Sequence, residues 1–273
     1  MPSEAEARER LRPFVARADA FSGWLPDTRK RVLGPGEPWD YLGRAAALMI
    51  SARSVLDMGT GGGERFAGLC ASVGELDEPH LSGKRDEPSR STGFAVATEE
   101  WHVNAPLAWR RLAPLGVEVV RARSVQLPFR DGCFELVLNR HEELDPDEVA
   151  RVLRPGGRVL TQQVWWRGNE LSRFFPRRTD HGDHFGVYQR GFQAAGLEIV
   201  DAREHRGPVC YESLGEYVYM LCIAPWEVPD FDPLGADLAA LLAMERALTT
   251  VDGVVLTEGS YVIEALKPLA LPA

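Results

Sequence analysis

The fold of this chain is decided by the stretch Ser54-Val55-Leu56-Asp57-Met58-Gly59-Thr60-Gly61-Gly62-Gly63-Glu64. Its apolar run predicts a buried parallel strand, and Asp57 lies at the carboxyl end of that strand, where open α/β sheets bind their ligands. The glycines adopt backbone angles that other residues resist, and they let the chain approach a ligand closely. The stretch therefore predicts a nucleoside-binding turn at one edge of a sheet.

Two phosphate-binding motifs do not fit this spacing. A dinucleotide fingerprint needs Gly-x-Gly-x-x-Gly, but its last position is Glu64 when counted from Gly59 and Phe66 when counted from Gly61. A carboxylate at Glu64 would also repel a pyrophosphate at the following helix N-terminus. No Gly-Lys-Ser/Thr follows, so the stretch is not a Walker loop. The pattern favours a ligand without phosphate that brings a positive charge to Asp57.

The rest of the chain alternates between strand and helix patterns. Beyond the first strand, strands are expected at 94–99, 117–121, 134–138, 158–164, 197–202 and 260–266, with helices between them. This order predicts an α/β fold: a Rossmann-like, doubly wound, seven-stranded and mostly parallel sheet with helices on both faces. Residues 1–40 are predicted to form an N-terminal helical lid and 41–273 the main domain, with an inserted polar loop at 74–93 and a substrate-side elaboration at 165–235.

Composition narrows the function classes. The chain has 273 residues and a net charge of −9, which argues against a broad nucleic-acid surface. No apolar run has the length of a membrane span, and residues 1–12 do not resemble a secretory signal. Its four scattered cysteines predict a reducing cytoplasm without a disulfide framework or zinc site. The Asp-His-Gly-Asp-His run at 180–184 is interpreted as a polar turn, so no metal is predicted, and the pattern does not indicate an oligomeric state.

Three further motifs follow the glycine turn in order. Glu99 ends the second strand, where a carboxylate can accept from both ribose hydroxyls. Ser124-Val125-Gln126-Leu127-Pro128-Phe129 precedes the fourth strand, and Leu153-Arg154-Pro155-Gly156-Gly157-Arg158 precedes the fifth. Together with Asp-x-Gly-x-Gly-x-Gly, these motifs resemble class I S-adenosylmethionine (AdoMet)-dependent methyltransferases, most closely the small-molecule and ubiquinone-type branch. The resemblance spans about 41–161 and the last strand.

The resemblance implies the cofactor and its contacts. AdoMet would donate its methyl group to oxygen or nitrogen of a small-molecule acceptor, leaving S-adenosylhomocysteine as the product. Asp57 would receive the methionine ammonium and Glu99 the ribose. Further cofactor contacts are implied for Gly59, Thr60, Gly61, Ser124, Val125 and Asn139. Arg123 stands where the family usually carries an acidic residue at the adenine.

The segment Asn139-Arg140-His141-Glu142-Glu143 follows the fourth strand, next to the expected position of the methyl group. A histidine there is suited to take a proton from a hydroxyl, with Glu142 or Glu143 orienting it, so His141 is predicted as the general base. Acceptor contacts are predicted for Arg140, Gln163 and Trp165. Two alternatives stay open: a ribosomal- or transfer-RNA base methyltransferase, and a catalytically inactive AdoMet-binding regulatory or partner protein.

Overall fold

The computed structural model describes residues 3–76, 94–165, 169–179 and 182–269. Eight α-helices lie in these ranges: α1 Glu4–Asp19, α2 Tyr41–Ser51, α3 Glu64–Leu76, α4 Ala105–Leu112, α5 Pro146–Val152, α6 His184–Ala194, α7 Leu214–Ile223 and α8 Leu238–Leu248. The strands are β1 Lys30–Val32, β2 Ser54–Met58, β3 Phe94–Thr98, β4 Val117–Val120, β5 Phe134–Arg140, β6 Leu153–Trp165, β7 Glu198–Tyr211, β8 Thr249–Thr250 and β9 Gly253–Leu266.

All of these strands belong to one sheet in the order β1-β7-β9-β6-β5-β2-β3-β4, with β8 paired to β9. The half from β4 to β6 is parallel, and the pairings that involve β1, β7, β8 and β9 are antiparallel. The chain runs outward from β2 through β3 to β4 and then returns to β5 on the other side of β2. This reversal of strand order creates a crevice beyond the carboxyl ends of β2 and β5, where open sheets bind ligands.

Helices cover both faces of the parallel half. Val55 packs in one apolar core with α2, α3 and α4, whereas its neighbour Leu56 packs in a second core with α5 and α6. Successive residues of β2 are therefore buried on opposite faces, as its near-continuous apolar sequence predicts. A third core joins α1, α7 and α8 to the far ends of β7 and β9.

The predicted doubly wound α/β fold is confirmed, but the predicted strand count of seven is not. The described residues form nine strands, because β1 and β8 are additional. The antiparallel pair β7 and β9 is also longer than expected and continues in register to Tyr211↔Val254. The run Arg203-Glu204-His205-Arg206-Gly207-Pro208 has no apolar alternation that would predict a strand. The neighbouring strand β9 supplies the hydrogen bonds of this run. Local strand propensity does not predict such a pairing.

The N-terminal segment carries more than the predicted helix, because β1 pairs with β7 at the edge of the sheet. Residues 77–93, most of the predicted inserted loop, lie outside the described residues. None of the described helices combines the length and the apolar character needed to cross a membrane.

Candidate active site

The glycine turn leaves β2 with three left-handed residues, Gly59, Gly61 and Gly63, at φ of 65°, 63° and 80°. A side chain at these angles would strain the backbone, so glycine is required there. Thr60 is buried and donates its N–H to the carbonyl oxygen of Thr98 at 2.9 Å. The turn is thus bound to the end of β3, and α3 begins directly after it.

The space beside two of these glycines is filled by side chains of the chain itself. A Cβ on Gly59 would come within 2.5 Å of the Glu142 Cβ, and one on Gly61 within 2.6 Å of the Trp24 Cβ. Sequence reasoning attributed the glycines to the approach of a ligand. In this structure, positive φ and the packing of Glu142 and Trp24 also require them.

Glu99 follows β3 and connects it to the turn. Its carboxylate accepts from Gly61 N at 2.7 Å and from Trp101 N at 2.8 Å. Each carboxylate oxygen keeps a second lone-pair direction, so these bonds leave acceptor capacity for a hydroxyl group. Glu99 is buried beside the turn, at the place where the sequence predicts a ribose partner.

Glu99 lies close enough to Asp57 and to Glu142 to raise the pKa of each. Burial, with a contribution from the charge of Glu99, raises the pKa of Asp57 to about 7. Burial likewise raises the pKa of Glu142 to about 7, with Glu99, Glu100 and Glu143 adding repulsion. The pKa of Glu99 is also raised by its burial. Among the described residues no cation contributes to these shifts, so this part of the glycine-turn side of the crevice has a surplus of acidic groups.

The predicted adenine segment lies beside this acidic cluster. Ser124 is buried, and its hydroxyl opposes the rise in the pKa of Glu142, whereas Val125 is half-buried. Arg123 turns away to an exposed ion pair with Glu100 at 3.5 Å. The structure therefore brings Ser124 to the crevice and directs the Arg123 side chain to solvent.

Asn139 and Gln163 form a hydrogen-bonded layer beneath the crevice. Asn139 is fully buried; its carbonyl oxygen accepts from Tyr41 Oη at 3.1 Å, and its Oδ1 accepts from Gln163 Nε2 at 2.5 Å. Gln163 Nε2 also donates to the Glu142 carbonyl oxygen at 2.7 Å. These two predicted ligand contacts therefore also hold the residues that follow β5.

His141 follows β5 directly and has the left-handed φ of 60° that is uncommon outside glycine. Its backbone N–H donates to the Gln162 carbonyl oxygen at 2.8 Å, which holds the residue in this conformation. Its Nε2 is buried and has no hydrogen-bond partner within the part of the chain that the structure describes. Burial, followed by the charges of Arg140, Lys30 and Arg65, lowers the pKa of His141 well below its ordinary value. The imidazole is therefore neutral at pH 7 and has a nitrogen available to a ligand.

A cavity of about 740 Å³ opens beside His141. Of the predicted site residues, it is lined by Arg140, His141 and Gln163, whereas the predicted cofactor residues do not line it. Its opposite wall is mostly apolar and aromatic: Trp24, Tyr211, Tyr217, Met220, Leu221, Ile223, Trp226 and Tyr261. The volume and lining are typical of small-molecule sites.

The N-terminal segment forms part of this site. Gly23 N donates to Asn104 Oδ1 at 2.7 Å, and the Trp24 ring stacks on Trp226 with centroids 5.9 Å apart. Arg17 anchors the segment by donating to the nearly buried Glu216 of α7 at 2.7 Å. Residues before the glycine turn are thus held against both the turn and the aromatic wall.

Sequence reasoning missed the roles of three of these residues. It treated Trp24 only as part of a lid and Glu142 only as a partner that orients His141; their contacts with the glycines depend on chain segments far apart in sequence. It did not single out Tyr217, whose buried hydroxyl in the cavity wall finds no hydrogen-bond partner in the described ranges. The Trp165 side chain, Asp180 and His181 lie outside the described residues.

No family model matches the chain, and no curated protein matches it in sequence. Solved structures do resemble it. A functionally unknown protein from Deinococcus radiodurans R1 has 15% identity and a TM-score of 0.57, covering 96% of this chain and 99% of its own. The cyclase SpnF has 15% identity and a TM-score of 0.52, covering 98% and 97%.

A SAM-dependent methyltransferase from Aquifex aeolicus has 17% identity and a TM-score of 0.41, covering 60% of this chain and 82% of its own. At such identities a structural likeness speaks for the fold, and function has to be argued from the site. The reversed strand order and the glycine turn after β2 agree with such a fold, and the chain has a doubly wound, Rossmann-like α/β fold.

Proposed function

We propose that this chain is an AdoMet-dependent methyltransferase that acts on oxygen or nitrogen of a small-molecule acceptor. The observation that carries the proposal is the cluster of Asp57, Glu99 and Glu142 beside the glycine turn, next to a cavity that contains the neutral His141. Buried acids with raised pKa values are stabilised in their charged form by a cation. AdoMet brings two positive charges, an ammonium and a sulfonium.

The donor set fits this cofactor. Asp57 would accept from the methionine ammonium, and Glu99 would accept from the ribose hydroxyls through its remaining lone pairs. Ser124 and Val125 would border the adenine. Glu142 and Trp24 occupy space over Gly59 and Gly61, so cofactor binding would require these two side chains to shift. When bound, AdoMet supplies an electrophilic methyl group on a sulfonium.

The protein's part in the reaction is to position the acceptor, exclude water and remove a proton. The aromatic wall and the tethered N-terminal segment would shield the acceptor from solvent. His141 would accept the proton from the acceptor's hydroxyl or ammonium group through Nε2, which has no hydrogen-bond partner among the described residues. Its neutral state at pH 7 leaves that nitrogen ready to do so.

A small acceptor is favoured over RNA. The cavity has the size of a small-molecule pocket, and the chain carries a net charge of −9, which opposes a polyanion. An inactive AdoMet-binding protein would share the acidic cluster, so it is separated from an enzyme only by turnover.

The first test is calorimetry with S-adenosylhomocysteine. Wild type should bind it, and Asp57→Asn should weaken binding about 10- to 100-fold, because a charged hydrogen bond is lost. Asp131→Asn is the control, since this exposed residue lies before β5, at the opposite edge of the sheet. No binding to wild type, or equal binding by Asp57→Asn, would overturn the cofactor assignment.

The second test is transfer from tritium-labelled AdoMet to a panel of phenols, amines and total RNA. We expect the label in a small acceptor, and we expect a large loss of methyl transfer in His141→Asn. Asparagine tolerates the left-handed backbone that this position needs. Label in RNA alone would support the RNA alternative, and binding without transfer to any acceptor would support the inactive one.

A further inference from the structure

Arg140 differs from the other half-buried arginines of the described residues in its lack of an ion-pair partner. In the described part of the chain, the other half-buried arginines are each ion-paired with a carboxylate: Arg8, Arg17, Arg151, Arg158 and Arg178. Over those same residues, Arg140 makes no ion pair or side-chain hydrogen bond. A guanidinium carries five N–H donors, so Arg140, which lines the cavity, has donors to offer to a ligand.

The surroundings of Arg140 disfavour its charged form. Burial lowers its pKa, and Arg65 lowers it further by repulsion, against smaller opposing effects of Tyr41 and Glu37. Arg65 lies in the first turn of α3 and likewise makes no ion pair within the described ranges. Both arginines line the cavity.

The charges in the crevice are unevenly distributed, and Glu142 and Glu143 line the same cavity as the two arginines. Asp57, Glu99 and Glu142 lie on the side of the glycine turn, whereas His141 lies within the field of Arg140, Lys30 and Arg65. Lys30 is already paired with Glu258 at 2.6 Å, so that among the described residues that line the cavity Arg140 and Arg65 are the arginine and lysine side chains without an ion pair. A planar guanidinium recognises a carboxylate through two parallel hydrogen bonds.

We propose that Arg140, supported by Arg65, binds the carboxylate of a ligand in this cavity. The inference rests on the proposed function for the identity of that ligand. Two ligands can bring a carboxylate: the amino-acid end of the cofactor, and an acceptor that is itself a carboxylic acid. The aromatic wall makes a benzoate a suitable probe for the second source.

The experiment compares binding to wild type, Arg140→Gln and the control Arg110→Gln, an exposed arginine of α4 that does not line the cavity. One arm uses S-adenosylhomocysteine against 5′-methylthioadenosine, which lacks the amino-acid end. The other arm uses 4-hydroxybenzoate against 4-hydroxybenzamide. Arg140→Lys keeps the charge without the two-pronged geometry and should recover part of any loss.

Arg140→Gln should weaken the carboxylate-bearing member of one pair about 10- to 100-fold and leave its neutral counterpart unchanged. Loss for S-adenosylhomocysteine assigns the cofactor as the source, and loss for 4-hydroxybenzoate assigns the acceptor. Equal affinities of Arg140→Gln and wild type for all four probes would overturn the proposal. If S-adenosylhomocysteine fails to bind wild type, the cofactor assignment is overturned. The comparison of 4-hydroxybenzoate with 4-hydroxybenzamide still tests Arg140 in that case.

A measurement of stability distinguishes a ligand-binding role of Arg140 from a structural role. Since Arg140 is unpaired, Arg140→Gln should unfold in urea at the same or a higher midpoint than wild type. A destabilised Arg140→Gln protein would show that Arg140 supports the fold, and it would count against a ligand site.

Discussion

The side chain of Glu142 lies directly against Gly59, so that a Cβ on Gly59 would stand 2.5 Å from the Glu142 Cβ. These residues follow two neighbouring parallel strands, β5 and β2, whose carboxyl ends meet at the switch point of the sheet. The contact joins the predicted cofactor turn to the predicted catalytic segment. Through this contact, the glycine turn and the segment that follows β5 pack against each other.

This contact predicts an unusual cost for Gly59→Ala. Gly116 is the matched control, because its φ of 75° is similarly left-handed and no atom lies within 4 Å of the position that an alanine Cβ would take there. Gly116→Ala should lower the free energy of unfolding by about 1–2 kcal/mol through backbone strain. Gly59→Ala should cost about 1–3 kcal/mol more, because Glu142 must be displaced. Urea unfolding of both variants gives the comparison, and equal losses would contradict the contact.

Asp57 predicts a pH dependence of stability. Its pKa is raised from 3.8 to about 7, so between these values the folded state binds a proton that the unfolded state has lost. The free energy of unfolding contributed by this group therefore falls as pH rises from 4 to 7, by at most about 4 kcal/mol. Asp57→Asn cannot titrate and should gain stability relative to wild type over that range. Parallel stability curves for the two ligand-free proteins would disprove the raised pKa.

His141 should stay neutral when the pH is lowered to 6, because burial and the neighbouring cations lower its pKa well below 6.5. Proton and nitrogen NMR of the histidine rings across pH 7.5 to 6 checks this, with His141→Asn identifying the resonances. The expected result is an unchanged His141 ring signal. A signal that titrates near pH 6.5 would mean that the ring is accessible to water and that the cations do not act on it.

The ion pair between Arg17 and Glu216 should contribute more to the free energy of unfolding than a typical surface ion pair does. Glu216 is nearly buried and would lose its guanidinium partner in Arg17→Met, so we expect a loss of about 1–3 kcal/mol in the free energy of unfolding. Arg12→Met is the control on the same helix, because both members of the Arg12–Glu9 pair are exposed. That control should change stability by less than about 0.5 kcal/mol. Similar effects of the two substitutions would show that Arg17 does not anchor the N-terminal segment.

Much of the fold could be read from the sequence because its signals are local. The apolar run before Asp57, the glycine spacing and the alternation of strands and helices indicate the parallel half of the sheet. Local polar residues offer Asp145 or Asp147 as the cap of α5, and in the structure the Asp145 side chain accepts from Asp147 N at 2.8 Å. The extension of β7 and β9 was missed because a partner strand, and not an apolar pattern, maintains it.

By itself, then, the sequence determined the α/β class and a glycine turn next to Asp57 and the end of β3, since these depend on neighbouring residues and on strand order. Only the tertiary structure decided which groups share the crevice. Glu142 and Trp24 reach the glycines, and Arg140 remains without a carboxylate partner among the described residues, because folding brings distant segments together and leaves the ligand side of the sheet open. Burial and charge pairing arise from that assembly, and they change pKa values in ways that no local pattern encodes.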